Sequence, residues 1–368
     1  MHCNVTIFAL AMQIEILHYI CFPNMDSITQ IVLGAACGEV ALGKKIGNKA
    51  LLFGAIGGTI PDLDVFVGRW FYNNEIDIMA FHRGFMHSIL FTIIGAFVFG
   101  WLVFKLYDKG KRKGTTTKKG WIWLFFLSLF THPILDSFTP YGTQLFAPFS
   151  DYRVAFNNIS VADPMYTLPF FFCMIVLLFY KRNTEKRKLW LKLGLGISSV
   201  YLLFTLVNKV YVNSVYKKTL QSEGISYLRY QTQPTIFNNI LWYGVAETET
   251  EYHLGFYSIL DKSSQITNWK VISKKNDLLP MNDTDLAKLA WFSNDYYTVR
   301  TTKKDNEYKY CDLRYPLLNP DDVESSLFTF RVYKNGSRWD MKNSGPDFDE
   351  NTTASSLFGP MIQRLKGQ

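Results

Sequence analysis

The hydrophobic pattern divides the chain near residue 207. Ahead of that point lie four uncharged apolar runs, Ser88–Phe104, Gly120–Leu135, Pro164–Tyr180 and Leu193–Val207. With its flanks, each approaches the roughly 20 residues that a helix needs to cross the hydrocarbon core of a bilayer. Two weaker runs precede them: Ser27–Gly43, interrupted by Glu39, and Ala50–Pro61. Both are rich in Gly and Ala, which lets helices pack closely within a bundle, although a partly re-entrant course fits them as well. Val5–Phe22 is apolar apart from Glu15 and His18, but no Lys or Arg precedes it and no small-residue cleavage site follows, so it reads poorly as a signal peptide. Translation starting at Met25 is one expectation for this region, and an extra helix within residues 1–24 is the competing one.

Beyond residue 207 the period changes. Ser226–Gln231, Ile240–Glu247, Glu251–Leu260, Tyr296–Thr301, Glu307–Tyr315 and Leu327–Tyr333 alternate apolar with polar and are enriched in Tyr, Phe and Val, as strands are. Asp283–Trp291 reads as one helix. The expected fold is therefore an α-helical polytopic membrane domain over residues 25–207, followed by a small β-rich (α+β) soluble domain over 208–368.

Charge sharpens the division. Residues 1–207 carry 19 Lys/Arg against 12 Asp/Glu, and residues 208–368 carry 20 against 19, so the excess of +8 resides almost wholly in the apolar half. That distribution speaks for membrane topology and against nucleic-acid binding. Lys44, Lys45 and Lys49 separate the two weaker runs, seven Lys/Arg fall in Lys105–Lys119 and five in Lys181–Lys188. The loops between, 62–87 and 136–163, hold only Arg69, Arg83 and Arg153. By the positive-inside rule one alternating topology fits every loop, in a bacterial-type plasma (inner) membrane, and it leaves residues 208–368 outside the cytoplasm. The five cysteines show no CxxC spacing and give no disulfide framework.

Three short segments carry candidate chemistry: Pro61-Asp62-Leu63-Asp64, His82-Arg83-Gly84-Phe85-Met86-His87-Ser88, and His132-Pro133-Ile134-Leu135-Asp136 followed by Ser137-Phe138-Thr139-Pro140-Tyr141-Gly142. His132 and Asp136, four apart, share one face of a helix. Asp62 and Asp64, two apart after a proline, would point the same way from an extended segment. His82 and His87 are five apart, and Gly84 permits a turn that would let both rings converge. In the topology above all three segments end their spans on the extracytoplasmic side, where ionisable groups are costly unless they serve a site. The expected metal ligands are Asp62, Asp64, His82, His87, His132 and Asp136. Imidazole with carboxylate suits zinc first, with Mn or Fe as alternatives, and the absence of thiolates argues against a structural zinc site.

Together these segments, with Met25-Asp26-Ser27-Ile28-Thr29-Gln30, resemble the YdjM-like inner-membrane proteins, a family described as metal-dependent hydrolases. The resemblance spans about residues 25–180 and implies hydrolysis; it also fits Met25 as the start. The family's opening has Thr-His where this chain has Thr29-Gln30, which sets Gln30 apart from the ligands, although its amide could still hydrogen-bond to the site.

Other polar residues invite roles. Arg83 could neutralise an anionic substrate oxygen or anchor at the head groups. Glu39 could be a general base or support the ligands, and Asp64, if not ligating, could take a proton from water. Asp163 and Ser88 read most plainly as helix caps. A site at the membrane boundary meets membrane lipid and lipid-linked or other small-molecule phosphoesters, the expected substrate class. The rival readings are a transport-related protein and a non-catalytic scaffold with a structural metal, in which 208–368 binds an unknown protein partner. No HExxH motif or Ser/Lys pair points to a protease.

Overall fold

The computed structural model describes residues 25–274, 276–317, 325–326, 328–344 and 354–367, so the expected helix within 1–24 lies outside the described residues. The described chain forms two compact units, one of residues 25–71 and 81–205, the other of 72–80 and 206–367.

The first unit is helical. It opens with α1 (Met25–Ile46) and α2 (Asn48–Thr59), then a 3-10 turn over Pro61–Leu63 and the short α3 (Asp64–Phe71). After the second unit's segment come a turn at Phe85–His87, α5 (Ile89–Tyr107), α6 (Lys118–Ser137), α7 (Pro164–Leu178) and α8 (Glu185–Ser222), whose residues from 206 on belong to the second unit; α4 (Glu75–Phe81) lies between α3 and that turn. Glycine decides how α1 and α2 pack. Gly34 and Gly38 face Gly54 and Gly58, and a methyl group placed on Gly38 would overlap the Ala50 carbonyl oxygen. Small residues thus let two backbones approach without the help of large side chains.

The same logic turns α5 inside out relative to a helix of a water-soluble protein. Gly95, Ala96 and Gly100 are buried, whereas Ile93, Phe97, Val98 and Trp101 are exposed. An outward apolar face suits lipid. Among the described residues α5 and α8 are long and apolar enough to cross a membrane, and a third span arises if α2 and the 44° bend into Pro61–Phe71 count as one. The expected span at Pro164–Tyr180 is the 15-residue apolar helix α7. The expected span at Leu193–Val207 is part of α8, which runs on without a break to Ser222. Pro133 inside α6 withholds an amide from the Leu129 carbonyl, and the Thr92 hydroxyl, which donates to the Ser88 carbonyl at 3.1 Å, lies 3.5 Å from that oxygen.

The second unit holds two four-stranded antiparallel sheets. The first is ordered β1 (Arg229–Pro234), β2 (Leu241–Glu247), β3 (Glu251–Ser258), β4 (Lys270–Ser273). The second is ordered β5 (Tyr297–Thr301), β6 (Glu307–Asp312), β7 (Thr329–Asn335), β8 (Arg338–Asn343). The helices α9 (Thr284–Phe292) and α10 (Ala354–Leu365) complete it. Strand β2 is buried on both faces. Its Leu241, Tyr243 and Val245 join Tyr252, Leu254 and Phe256 of β3 in one core, while Trp242 and Ala246 pack with Val212, Val215 and Tyr216 of α8. The six expected strands and the helix at 283–291 appear with ends shifted by up to three residues. Residues 72–80 are fastened within this unit. Asn74 Nδ2 donates to the Trp339 carbonyl (2.7 Å), the Glu75 amide donates to Asp340 Oδ1 (2.9 Å), and Asp77 pairs with Arg338 (2.8 Å) and with Lys288.

Candidate metal centre

Four side-chain atoms converge within the helical unit. His87 Nε2 and His132 Nε2 stand 3.2 Å apart. Asp62 Oδ1 lies 3.4 Å from the first and 3.3 Å from the second. Asp136 Oδ2 lies 3.4 Å from each. His87, His132 and Asp136 are fully buried, and Asp62, with 23% of its side chain exposed, is the corner that reaches the surface.

The local backbone explains the convergence. Pro61 opens a helical turn, closed by the Leu63 amide on the Ile60 carbonyl at 3.1 Å, and α3 begins at Asp64. Because that segment is helical and not extended, Asp62 and Asp64 diverge, contrary to the expectation from their spacing. Asp62 enters the group of four, while Asp64 lies behind His87, with Oδ2 3.1 Å from His87 Nδ1. In the turn that presents His87, the left-handed residue is Arg83 (φ 59°), not the expected Gly84. Gly84 is needed for another reason, since a Cβ there would come within 2.8 Å of the Phe81 carbonyl oxygen. His132 and Asp136 share a face of α6 one turn apart, as the sequence requires.

The protonation pattern follows from the partners. His132 Nδ1 is 2.6 Å from the Gly58 carbonyl oxygen, which can only accept, so Nδ1 carries the proton and Nε2 of the neutral ring presents a lone pair. The carboxylate of Asp64, 3.1 Å from His87 Nδ1, favours the same tautomer there, although that nitrogen makes no aligned hydrogen bond. Gln30 Nε2 donates to Asp136 Oδ1 at 2.7 Å and so aims Oδ2 into the group, where that buried oxygen accepts no hydrogen bond. With both rings neutral and protonated on Nδ1, two imidazole lone pairs and two carboxylate oxygens would face one another, an arrangement suited to holding a cation.

The spacing fits one. Five of the six edges measure 3.2–3.4 Å, and a regular tetrahedron of that edge would have its centre about 2.0–2.1 Å from each corner, the range of Zn–N and Zn–O bonds. The group Asp62, His87, His132 and Asp136 could accordingly hold a metal ion. A carboxylate behind a ligating imidazole is also how metal sites hold their histidines.

The remaining expected residues fall around this group. His82 does not join it, because its Nδ1 is taken up by Asp64 Oδ1 at 2.8 Å. Its ring lies edge-on to His87 and Tyr141, and 23% of the side chain is exposed. Asp64 also accepts from the Arg83 amide at 2.9 Å, which makes it an orienting hub. The Arg83 side chain donates to Thr139 Oγ1 at 2.9 Å, stacks on Tyr141 and brings Nε to 3.4 Å from Asp136 Oδ2. Glu39 is elsewhere engaged: the Arg187 guanidinium donates to both of its oxygens, at 2.7 and 2.6 Å. That bidentate pair leaves Glu39 without the role of base or ligand support expected for it. Ser88 caps α5, accepting from the Phe91 amide, and Asp163 caps α7 while accepting from the Tyr201 hydroxyl. Sequence reasoning assigned no role to the Gly58 carbonyl or to Thr139 and Tyr141. The last two stood in plain sight just after Asp136, but a hydroxyl and a ring carry no spacing rule.

Known proteins supply context for this geometry. The chain is 30% identical over 147 residues to the "Uncharacterized protein YfhP" of Bacillus subtilis (strain 168), a match that covers 38% of this chain and 42% of that protein. It thus spans less than half the length of the curated relative it matches. No solved structure matches. Residues 25–212, just over half of the chain and every member of the group of four, match the family of the YdjM inner membrane protein. The chain belongs to the YdjM inner membrane protein family.

Proposed function

We propose that this protein is a membrane-embedded, metal-dependent hydrolase acting on a lipid-linked or small phosphoester at the extracytoplasmic membrane face. The observation that carries this reading is the convergence of four acceptor atoms from Asp62, His87, His132 and Asp136 at separations suited to a tetrahedral divalent ion. Zinc suits two nitrogen and two oxygen donors at these spacings best, with Mn or Fe as the other candidates. Such an ion, when bound, would polarise a phosphoryl oxygen and lower the pKa of water by taking a fifth ligand beside the four side chains.

The chain's own residues divide the remaining tasks. Asp64 orients both His87 and His82. Arg83, braced by Thr139 and Tyr141, supplies a planar positive group suited to an anionic phosphoryl oxygen. His82, held at Nδ1 and partly exposed, retains Nε2 to take or give a proton. On the surface of the same unit Phe66, Trp70 and Phe71 of α3 and Phe149 are each more than 60% exposed. Aromatic rings so placed belong at a membrane–water interface, which supports an amphiphilic substrate. The distribution of Lys and Arg supports a multi-pass topology with residues 208–368 outside the cytoplasm.

The test is elemental analysis of the detergent-purified protein, wild type beside His132→Ala and Asp62→Ala, paired with a screen of phosphomonoesters and phosphodiesters. Near-stoichiometric metal and hydrolysis, both lost in folded variants, are expected. A wild type that stays metal-free after loading with each ion would sink the reading. Bound metal without hydrolysis of any phosphoester would transfer the site to the structural-metal scaffold.

A further inference from the structure

A second polar locus lies at the far ends of α1 and α2 from the metal centre. Gln30 near the start of α1 touches Asp136, whereas Ile46 at its end lines a cavity of about 400 Å³. The helical rise puts about 24 Å between those two positions. Four helix ends meet there: the last residue of α1, the first of α2, the last of α7 and the approach to α8.

The lining is cationic. Lys49, Lys181, Arg182 and Arg187 contribute to it, and no acidic residue does. Arg187 is spoken for: its guanidinium is 2% exposed, ion-paired with Glu39, and its Nη1 donates to Asn48 Oδ1 and to the Tyr180 carbonyl. It forms a fixed wall, and with Asn48 Nδ2 donating to the Leu178 carbonyl it ties the end of α7 to the start of α2. Lys49, Lys181 and Arg182 have no acidic partner among the ion pairs of the described residues, while Arg182 Nη1 donates to the Lys45 carbonyl oxygen and the Lys49 ammonium lies over the Tyr107 ring. Helix α2 adds its amino end, whose N-cap, Gly47, has no side chain to occupy the first amides. Leu178 and Phe179 complete the lining with apolar surface, Phe179 being 83% exposed. Three cations without an acidic partner, a helix amino end and an apolar rim in one cavity match a phosphate carried on a hydrophobic body.

We propose that this cavity binds the phosphate group of an anionic phospholipid. The proposal is independent of the hydrolase reading, since none of its residues touches the metal centre. Phosphatidylglycerol supplies the required chemistry; free inorganic phosphate shares it and is the alternative source.

The test is binding of phosphatidylglycerol, phosphatidylcholine and inorganic phosphate to the full-length protein in detergent, by native mass spectrometry and calorimetry. The variant is Lys49→Ala/Lys181→Ala/Arg182→Ala. The control, Lys109→Ala/Lys111→Ala/Lys113→Ala, removes the same charge from another exposed loop. Phosphatidylglycerol is expected to bind the wild type and the control alike and the cavity variant on the order of a hundredfold more weakly, from the loss of three cations. Phosphatidylcholine is expected not to bind, and millimolar phosphate not to displace the lipid. Phosphate that binds and displaces the lipid would overturn the lipid assignment in favour of a phosphate site. Equal losses in both triple variants, or no binding to the wild type, would overturn the site altogether, and unchanged melting of the cavity variant keeps a folding defect from imitating the expected result.

Discussion

His87 and His132 bring their Nε2 atoms to 3.2 Å of each other, and the Gly58 carbonyl holds a proton of His132 on the opposite nitrogen. With both Nε2 atoms unprotonated, two lone pairs and two carboxylate oxygens at this spacing would repel one another, and a divalent ion among them would relieve that repulsion. Chelation should therefore lower the melting temperature of the purified protein, and readdition of metal should restore it. At a free metal concentration a hundredfold above Kd the stabilisation is about 2.7 kcal/mol. His87→Ala should melt at one temperature with or without chelator, as read by a thermal-shift measurement.

Asp64 touches His82, His87 and the Arg83 amide, so it acts on the centre through its neighbours. Asp64→Asn keeps the volume and removes the charge behind His87. Metal affinity should fall roughly 10- to 100-fold, the usual range for loss of such a partner. Competition against a fluorescent chelator measures this, and Asp62→Asn, which alters a member of the group of four, should lose more.

The Glu39–Arg187 pair makes the opposite prediction. Both groups are buried, so Glu39→Ala strands a guanidinium and should destabilise by about 3–5 kcal/mol. Metal content per folded molecule should not change. Retained stability with lost hydrolysis would return Glu39 to the chemistry.

Two glycines separate packing from propensity. Gly38→Ala drives a methyl group into the Ala50 carbonyl and should cost about 1–3 kcal/mol, the range for overpacking. Gly196→Ala meets open space in the middle of α8 and should be neutral or stabilise by up to about 1 kcal/mol. Denaturant unfolding in detergent compares the two.

Acid stability of the second unit should follow Asp285. Its hydrogen bonds from the Arg338 guanidinium hold its carboxyl below the ordinary carboxylate range, outweighing the opposite pull of burial. A depressed folded value means the stabilisation is complete above the unfolded value, near 4, and is lost as pH falls through the folded one. Melting of the sheet unit should thus be flat from pH 7 to 5 and decline below about 4. Asp285→Asn should flatten that acid limb.

What the sequence disclosed, it disclosed through period and charge. Runs at 88–104 and 120–135 had to be helices, and strands such as 251–258, with Tyr252, Leu254 and Phe256 at alternate positions, announced themselves by period. The edge strands β4 (Lys-Val-Ile-Ser) and β8 (Arg-Trp-Asp-Met-Lys-Asn) did not, because short, charged edges are how sheets avoid pairing with other chains. Helix α10 was hidden by Gly359 and Pro360 within it. At the centre, residue types and the i, i+4 pair of α6 were legible, but the division between Asp62 and Asp64, or between His82 and His87, was not. It depends on a 3-10 turn and on one left-handed residue, neither of which spacing reveals.

The fastening of residues 72–80 has a consequence for how the protein is made. This stretch joins Asp64 to His82, yet Lys288, Arg338, Trp339 and Asp340 follow their partners in it by 211 to 265 residues. At bacterial and eukaryotic translation speeds those partners emerge roughly 10 to 50 s later. The link between two of the segments that build the centre thus waits, through most of synthesis, for the final quarter of the chain, and a product truncated near residue 280 would carry all four converging side chains while lacking every one of those anchors.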